Sequence, residues 1–441
     1  MNRAILLMLL GTGCNQYEYF NIAGYVQADY SNDADVIFVI DNSQSMVDES
    51  ASLALNFNAF IQTLTSEDGA AQNTDGLSDA VSNTIDASQE RGRYIDYQLG
   101  ITTTTAKLIG GDSTGLEPGE GGWLLGDPTI ISKWDPDVED AFRRNLLCEA
   151  TYWDEDEVPS DLSYVCGDEP DQITQEYLDC ECGLGEWEGN AGSGDEEPLE
   201  AALLALCRSV DSPPELCFEG DAEHSFTSAD INSNNTADRQ LLREDATTVV
   251  VIVGDEGDDS WRLPEGEETP DTYIDAFAEF ERPIRMVTIG PNYNDDDGSF
   301  PCNSGGAQTW MVERLQAMAD ETNGFFAPLE EQINGDCEQA DFAEYLAELG
   351  QLINNLLTAF QLQSIPDIET IRVYVDGLEV SAAAETDVID PDADTLEYTR
   401  GWSYDSAQNA VAFWGENVPD YNQDVRIYYR PLVGKPRELP F

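Results

Sequence analysis

Positive charge is scarce in this chain. Its 441 residues carry 20 Lys and Arg against 88 Asp and Glu, a formal net charge of −68. Such a surface repels nucleic acid and anionic lipid headgroups, and it attracts metal cations and basic partners. Histidine is nearly absent as well. The single one, His224, lies in a polar stretch with no nucleophile-elbow motif around it, so Ser-His-Asp catalysis has no support. No Gly-x-x-x-x-Gly-Lys run is there to cradle a phosphate, and no Cys-x-x-Cys pair is there to hold zinc. No apolar run approaches the ~20 residues of a membrane-spanning helix. Carboxylates are so common that no pair stands out for glycoside hydrolysis. The sequence therefore reads as a protein that is not an enzyme.

What the sequence does contain describes a folded, exported protein. It is 41% hydrophobic and 10% aromatic, and its length allows two or three domains. The acidic excess suits a saline habitat, where surface carboxylates keep a protein soluble and salt screens their repulsion. Dedicated Ca²⁺ buffering is the other reading. Met1-Asn2-Arg3, the apolar Ala4–Leu10 and then Gly11-Thr12-Gly13-Cys14 resemble the leader of a bacterial lipoprotein, with Gly11 standing where that family usually has Leu. This implies a leader over 1–13, a lipid on Cys14, a tether over 14–33 and a place in the cell envelope; a plain secretory signal is the alternative. Eight further cysteines, an even number in an exported chain, indicate disulfides. Cys207 with Cys217 and Cys302 with Cys337 are the local pairs. Cys148, Cys166, Cys180 and Cys182 allow three pairings that sequence does not separate.

The chain is organised around Val36-Ile37-Phe38-Val39-Ile40-Asp41-Asn42-Ser43-Gln44-Ser45. A continuous apolar run reads as a strand buried on both faces of a parallel sheet. It ends in Asp-x-Ser-x-Ser at the strand's carboxyl end, where open α/β sheets bind ligands. One carboxylate and two hydroxyls are hard oxygen donors suited to Mg²⁺ or Ca²⁺. A second run, Thr247–Val253, ends in Gly254-Asp255-Glu256. These two strand ends resemble the metal-ion-dependent adhesion site of the von Willebrand factor A (vWA) family. The resemblance covers residues 34–361. It implies a cation on Asp41, Ser43, Ser45 and Asp255, with one position left for an oxygen, often a carboxylate, of a protein or surface partner. The family's further Thr comes from a Gly-Gly-Thr turn. Here that turn is Gly192-Ser193-Gly194-Asp195-Glu196, so Ser193, Asp195 or Glu196 would substitute, with Thr103 or Thr104 as other sources.

Helical spacing recurs over 49–64, 196–209, 273–280, 311–318 and 342–360, and further strands over 95–101, 284–289 and 324–328. The fold class expected is α/β, a doubly wound, mostly parallel six-stranded sheet of vWA or Rossmann type. Residues 110–194 form a disulfide-stapled insertion beside the metal face, the candidate for partner specificity. Residues 364–441 form a small all-β module, sandwich-like, with Trp402, Tyr404 and Trp414 as its anchors. Asn292–Gly298 and Asp390-x-Asp392-x-Asp394 with Glu397 are loosely like Ca²⁺ loops, but the required Gly is displaced in one and missing in the other. The function expected is metal-dependent binding; a structural envelope protein, with the metal only holding loops, is the alternative.

Overall fold

The computed structural model describes residues 33–65, 95–106, 120–153, 158–183, 196–219, 240–243, 246–280, 282, 284–293, 299–302, 307–333, 336–339, 341–362, 365–375, 377–384, 386, 388, 398–406, 410–415, 417 and 425–430. The leader with Cys14, Ser193, Asp195, His224 and the Asp390–Glu397 loop lie outside the described residues, as does 294–298 of the other acidic turn.

Six strands make one sheet: β1 (Asp33–Ile40), β2 (Asp96–Thr103), β3 (Ile131–Ser132), β4 (Thr247–Val253), β5 (Ile284–Gly290) and β6 (Phe325–Pro328). Their spatial order is β3-β2-β1-β4-β5-β6, and all neighbours run parallel except β3 against β2. β1 lies near the middle. Val36, Phe38 and Ile40 enter the core on one face, and Ile37 and Val39 enter the core on the other. Burial on both faces is why the run is apolar without alternation.

The helices are α1 (Val47–Thr65), α2 (Val138–Glu149), α3 (Gln175–Glu181), α4 (Pro198–Arg208), α5 (Asp271–Ala278), α6 (Thr309–Glu321) and α7 (Phe342–Thr358). The first face is covered by α1, α2, α3 and α7, the second by α4, α5 and α6. The register pairs Ile40 with Thr103 and with Val253, and Val253 with Ile289. The chain therefore leaves β1, β2, β4 and β5 at one common edge of the sheet.

The 110–194 segment contributes more than a stapled loop. It supplies the edge strand β3 and the helix α2, whose Phe142 lies stacked on Phe57 with centroids 3.5 Å apart and meets Phe38 edge-on at 5.0 Å. These rings and Phe60 are all essentially excluded from solvent. Disulfides join Cys148 to Cys182, Cys166 to Cys180, Cys207 to Cys217 and Cys302 to Cys337. The first ties the end of α2 to the end of α3. No helix among the described residues is long and apolar enough to cross a membrane.

After β6 comes a hairpin, β7 (Glu330–Ile333) with β8 (Asp336–Gln339). The last helix stops at Thr358, two residues short of the expected end. Ala359–Gln361 becomes β9, which pairs with β13 (Ala410–Gly415) beside β12 (Arg400–Asp405). Phe360 leaves the helical pattern because it is buried edge-on against Phe413 at 5.0 Å. A second antiparallel sheet sets β10 (Arg372–Val375) between β11 (Leu378–Val380) and β14 (Val425–Tyr428). The small antiparallel module thus begins at 359 and not at 364. Trp402 sits in its core and Tyr404 packs against that core. Trp414 does not join it, because strand alternation sends Phe413 inward and turns Trp414 toward Tyr398 and the Ser403 hydroxyl.

Candidate metal centre

Asp41 is the first residue past β1. Its N–H donates to the Val253 carbonyl at 2.9 Å, which carries the β1–β4 pairing one step beyond the strands. Its Oδ1 accepts the Ser43 N–H at 2.8 Å, and its Oδ2 has no hydrogen-bond partner although the residue is only 1% exposed. The Ser43 and Ser45 hydroxyls lie 2.9 Å apart. Ser43 stands at the N-cap of the short turn Gln44–Met46 that opens into α1, yet its hydroxyl makes no capping bond. Both hydroxyls are therefore turned to each other beside the Asp41 carboxylate and not spent on the helix.

Asp255 follows β4 through Gly254. The glycine lets the two strand ends approach closely: a Cβ there would lie 3.1 Å from Asp41 Cβ and 3.3 Å from its Oδ2. Asp255 is 5% exposed, its Oδ1 is unpartnered, and its charge is the one that, after burial, raises Asp41 most. No helix begins until Asp271, so Asp255 is not a helix cap.

Glu196 completes the cluster. The expected helix over 196–209 begins at Pro198, a favoured first position, which leaves Glu196 in the turn before it. There the Thr104 hydroxyl donates to Glu196 Oε2, the Asp259 N–H donates to the Glu196 carbonyl, and the Glu197 N–H donates to the Thr104 carbonyl. Glu196 is 3% exposed, and Oε1 is unpartnered. Thr104 itself sits beside β1, its N–H donating to the Ile40 carbonyl at 3.0 Å.

Three other buried carboxylates among the described residues are paired with arginine. Asp35 is paired with Arg243, Glu200 with Arg262 and Asp258 with Arg314. The leading influences on Asp41 and Glu196 include no such cation. Burial and then the Asp255 charge push the Asp41 carboxyl up to about 8, with the Ser43 bonds only partly offsetting them. Burial and then Asp41 push Glu196 up to about 9, with Thr104 opposing. Burial, with repulsion from Asp255, Asp48 and Glu330, raises Glu49 to about 7. A buried anion with no counter-charge is costly, and it either keeps its proton or recruits a cation.

Among the described residues, no group of three or more His, Cys, Asp or Glu side chains is placed so that it could hold a metal ion. The hydroxyls of Ser43 and Ser45 stand next to Asp41, so a cation here would complete its shell from hydroxyl oxygens and water, as oxygen-preferring ions do. The unpartnered buried oxygens of Asp41 and Asp255 fit such an ion.

No family model matches the chain. No curated protein matches it either. Among solved structures it is similar to proximal thread matrix protein 1 from the mussel byssus, at 11% identity and a TM-score of 0.29, covering 77% of this chain and 51% of that one. It is also similar to the pilus adhesin SpaC of Lactobacillus rhamnosus GG, at 9% identity and a TM-score of 0.33, covering 91% of this chain and 39% of that one. The chain thus spans about half of the first structure and about two fifths of the second.

Of the residues expected at the centre, Asp41, Ser43, Ser45, Asp255 and Glu196 fall at one edge of the sheet, and Thr104 joins them through Glu196. Two features were not anticipated. Glu49, on the first turns of α1, brings a further carboxylate within range of Asp255. Around the loop after β4, Arg262 grips Glu200 through two bonds, Tyr273 donates to the same carboxylate, and Arg314 holds the Asp258, Pro264 and Glu267 carbonyls. The chain's few arginines were the available signal, since a rare cation is most useful where a carboxylate must be buried.

Proposed function

We propose that this chain is an exported binding protein of the vWA type, in which a divalent cation, Mg²⁺ or Ca²⁺, held by Asp41, Ser43, Ser45 and Asp255, grips a protein or cell-surface partner. The observation that carries the reading is the pair of unpartnered, buried carboxylate oxygens on Asp41 and Asp255, set beside the Ser43–Ser45 hydroxyl pair at the carboxyl edge of the sheet. Bound there, the cation supplies a fixed positive charge for an oxygen of the partner. The chain's own residues orient it: the Ser43 N–H fixes Asp41, Gly254 admits Asp255 against it, and the buried arginine network holds the following loop. The strand order, with its antiparallel edge, supports the vWA reading of the fold. The disulfides support an oxidising, exported location, and Cys14 is the proposed lipid anchor to the cell envelope. The role is binding without catalysis.

A structural reading, in which the ion only ties loops together, draws on Glu196. A buried carboxylate facing Asp41 would take a place at the ion that a partner would otherwise use. Calorimetric titration of Mg²⁺ and Ca²⁺ into the purified chain, in ~0.5 M salt to suppress diffuse binding to the acidic surface, tests the centre. One stoichiometric site, lost in the Asp41→Ala/Asp255→Ala variant, is expected. Identical weak binding by both proteins would remove the metal centre. A partner search with and without chelator then separates gripping from tying.

A further inference from the structure

The small antiparallel module carries most of the exposed positive charge among the described residues. Arg144, Arg372, Arg400, Arg426 and Arg430 are the exposed arginines there, and all but Arg144 belong to the module. The described arginines of the α/β domain are otherwise buried or half-buried, and Arg243, Arg262 and Arg314 are spent on internal acids. Two of the exposed arginines share one face of the sheet β11-β10-β14. Strand alternation sends Val373, Val375, Val425 and Ile427 toward the module core and puts Arg372, Tyr374, Arg426 and Tyr428 on the opposite face. The register sets Arg372 opposite Tyr428 and Tyr374 opposite Arg426, so arginine and tyrosine alternate both along the strands and across them. The two rings meet edge to face, with centroids 5.5 Å apart and planes at 81°. Glu379 on β11 stands opposite Tyr374, 3.7 Å from Arg372. Ile368, in the turn before β10, and Leu378, the first residue of β11, add exposed apolar side chains. The sequence continues the cationic bias: residues 425–441 hold Arg426, Arg430, Lys435 and Arg437 against Glu438, in a chain of net charge −68.

We infer that this Arg–Tyr face is a second interaction surface, independent of the metal-centre reading, and that its partner is an acidic segment of another protein. Tyr and Arg are the residues that protein contact surfaces concentrate, since each offers a large contact area with a polar tip. A guanidinium fork takes a carboxylate through two parallel bonds. Asp or Glu side chains of the partner meet Arg372 and Arg426, and its apolar side chains settle on Tyr374, Tyr428, Ile368 and Leu378. Charge complementarity selects an acidic partner for the one described face where exposed arginines gather. The chain's overall negative charge does not forbid this contact. Beyond about 8 Å charges are screened at physiological ionic strength, so the local face decides what docks on it. The Arg372–Glu379 pair is exposed on both sides and contributes little, so a partner carboxylate can replace it. The crossed rings disfavour an acidic polysaccharide, because they offer no coplanar platform for the flat face of a sugar.

The test is calorimetric titration of a random Glu–Tyr copolymer, which offers carboxylates and rings together, into the purified full chain. Chelator is present throughout, so that the metal centre plays no part, and salt is varied from about 50 to about 300 mM. Arg372→Glu/Arg426→Glu, Tyr374→Ala and Arg144→Glu are run beside the wild type, and thermal unfolding checks that each variant folds. The double arginine variant should lose at least about tenfold in affinity and most of the salt dependence. Tyr374→Ala should lose about fivefold with the salt slope unchanged, because it removes contact area and no charge. Arg144→Glu should bind like the wild type. No binding by the wild type, or an equal loss in Arg144→Glu, would overturn the surface. Tighter binding of polygalacturonate than of the copolymer, at equal carboxylate concentration, would overturn the protein partner in favour of a polysaccharide. Self-association in sedimentation that the double arginine variant abolishes would give the face to a second copy of this chain and overturn a separate partner.

Discussion

Removing cations should make this protein's stability fall as pH rises through neutrality. In the folded chain Asp41 is pushed up to about 8 and Glu196 to about 9, both chiefly by burial, from ordinary values of 3.8 and 4.5. The folded state then holds protons that the unfolded state has released. A raised acid stabilises the fold fully below its unfolded value and loses that contribution as pH climbs toward its folded value. Between pH 6 and 8 exposed carboxylates are already ionised in both states, so the change comes from the raised acids, chiefly Asp41 and Glu196, with Glu49 at about 7 adding to it and Asp35 and Asp258, at about 6, contributing at the lower end. Each group retained as an acid costs about 1.4 kcal/mol of stability per pH unit. Since the two acids interact, about one to two protons change, and the loss from pH 6 to 8 is about 3–5 kcal/mol. At roughly 1 °C per kcal/mol for a chain of this size, the midpoint should drop by about 3–5 °C. Saturating Ca²⁺ should flatten the slope, because the ion stabilises the ionised carboxylates, and it should add about 2.7 kcal/mol at a hundredfold excess over its Kd. Calorimetric unfolding at pH 6, 7 and 8, with chelator and with Ca²⁺, measures both. An equal slope in the two conditions, or an undiminished slope in Asp41→Asn/Glu196→Gln, would refute the reasoning.

Two further substitutions probe the frame around the centre. Phe142→Ala removes the ring stacked between α1 and the sheet and should cost about 3–5 kcal/mol in denaturant unfolding; a loss below about 1 kcal/mol would mean that the 110–194 segment is not part of the core. Gly254→Ala places a methyl 3.1 Å from Asp41 Cβ and 3.3 Å from its carboxylate, so it should weaken Ca²⁺ binding about tenfold, a shift typical of disturbing a ligand's support, while changing the unfolding midpoint little. Unaltered Ca²⁺ affinity would show that the Asp41 carboxylate has room to move.

The sequence by itself determined the parts that depend on local pattern. Runs such as Val36–Ile40 and Val249–Val253 declare strands buried on both faces, because every second residue must be apolar on each side. Asp41 and Asp255 follow directly from where those runs stop, and Cys207–Cys217 follows from proximity along the chain. Only the tertiary structure decided the rest. β3 is two residues long and carries no periodic signal. Phe360 continues the helical spacing of α7 yet pairs as strand, since burial against Phe413 outweighs local propensity. The Cys148–Cys182 choice depends on how α2 and α3 pack. The Thr104–Glu196 bond joins residues 92 apart, so nothing near either one announces it. Which buried acids receive an arginine is settled by contacts between elements distant in the chain; local spacing does not contain that information.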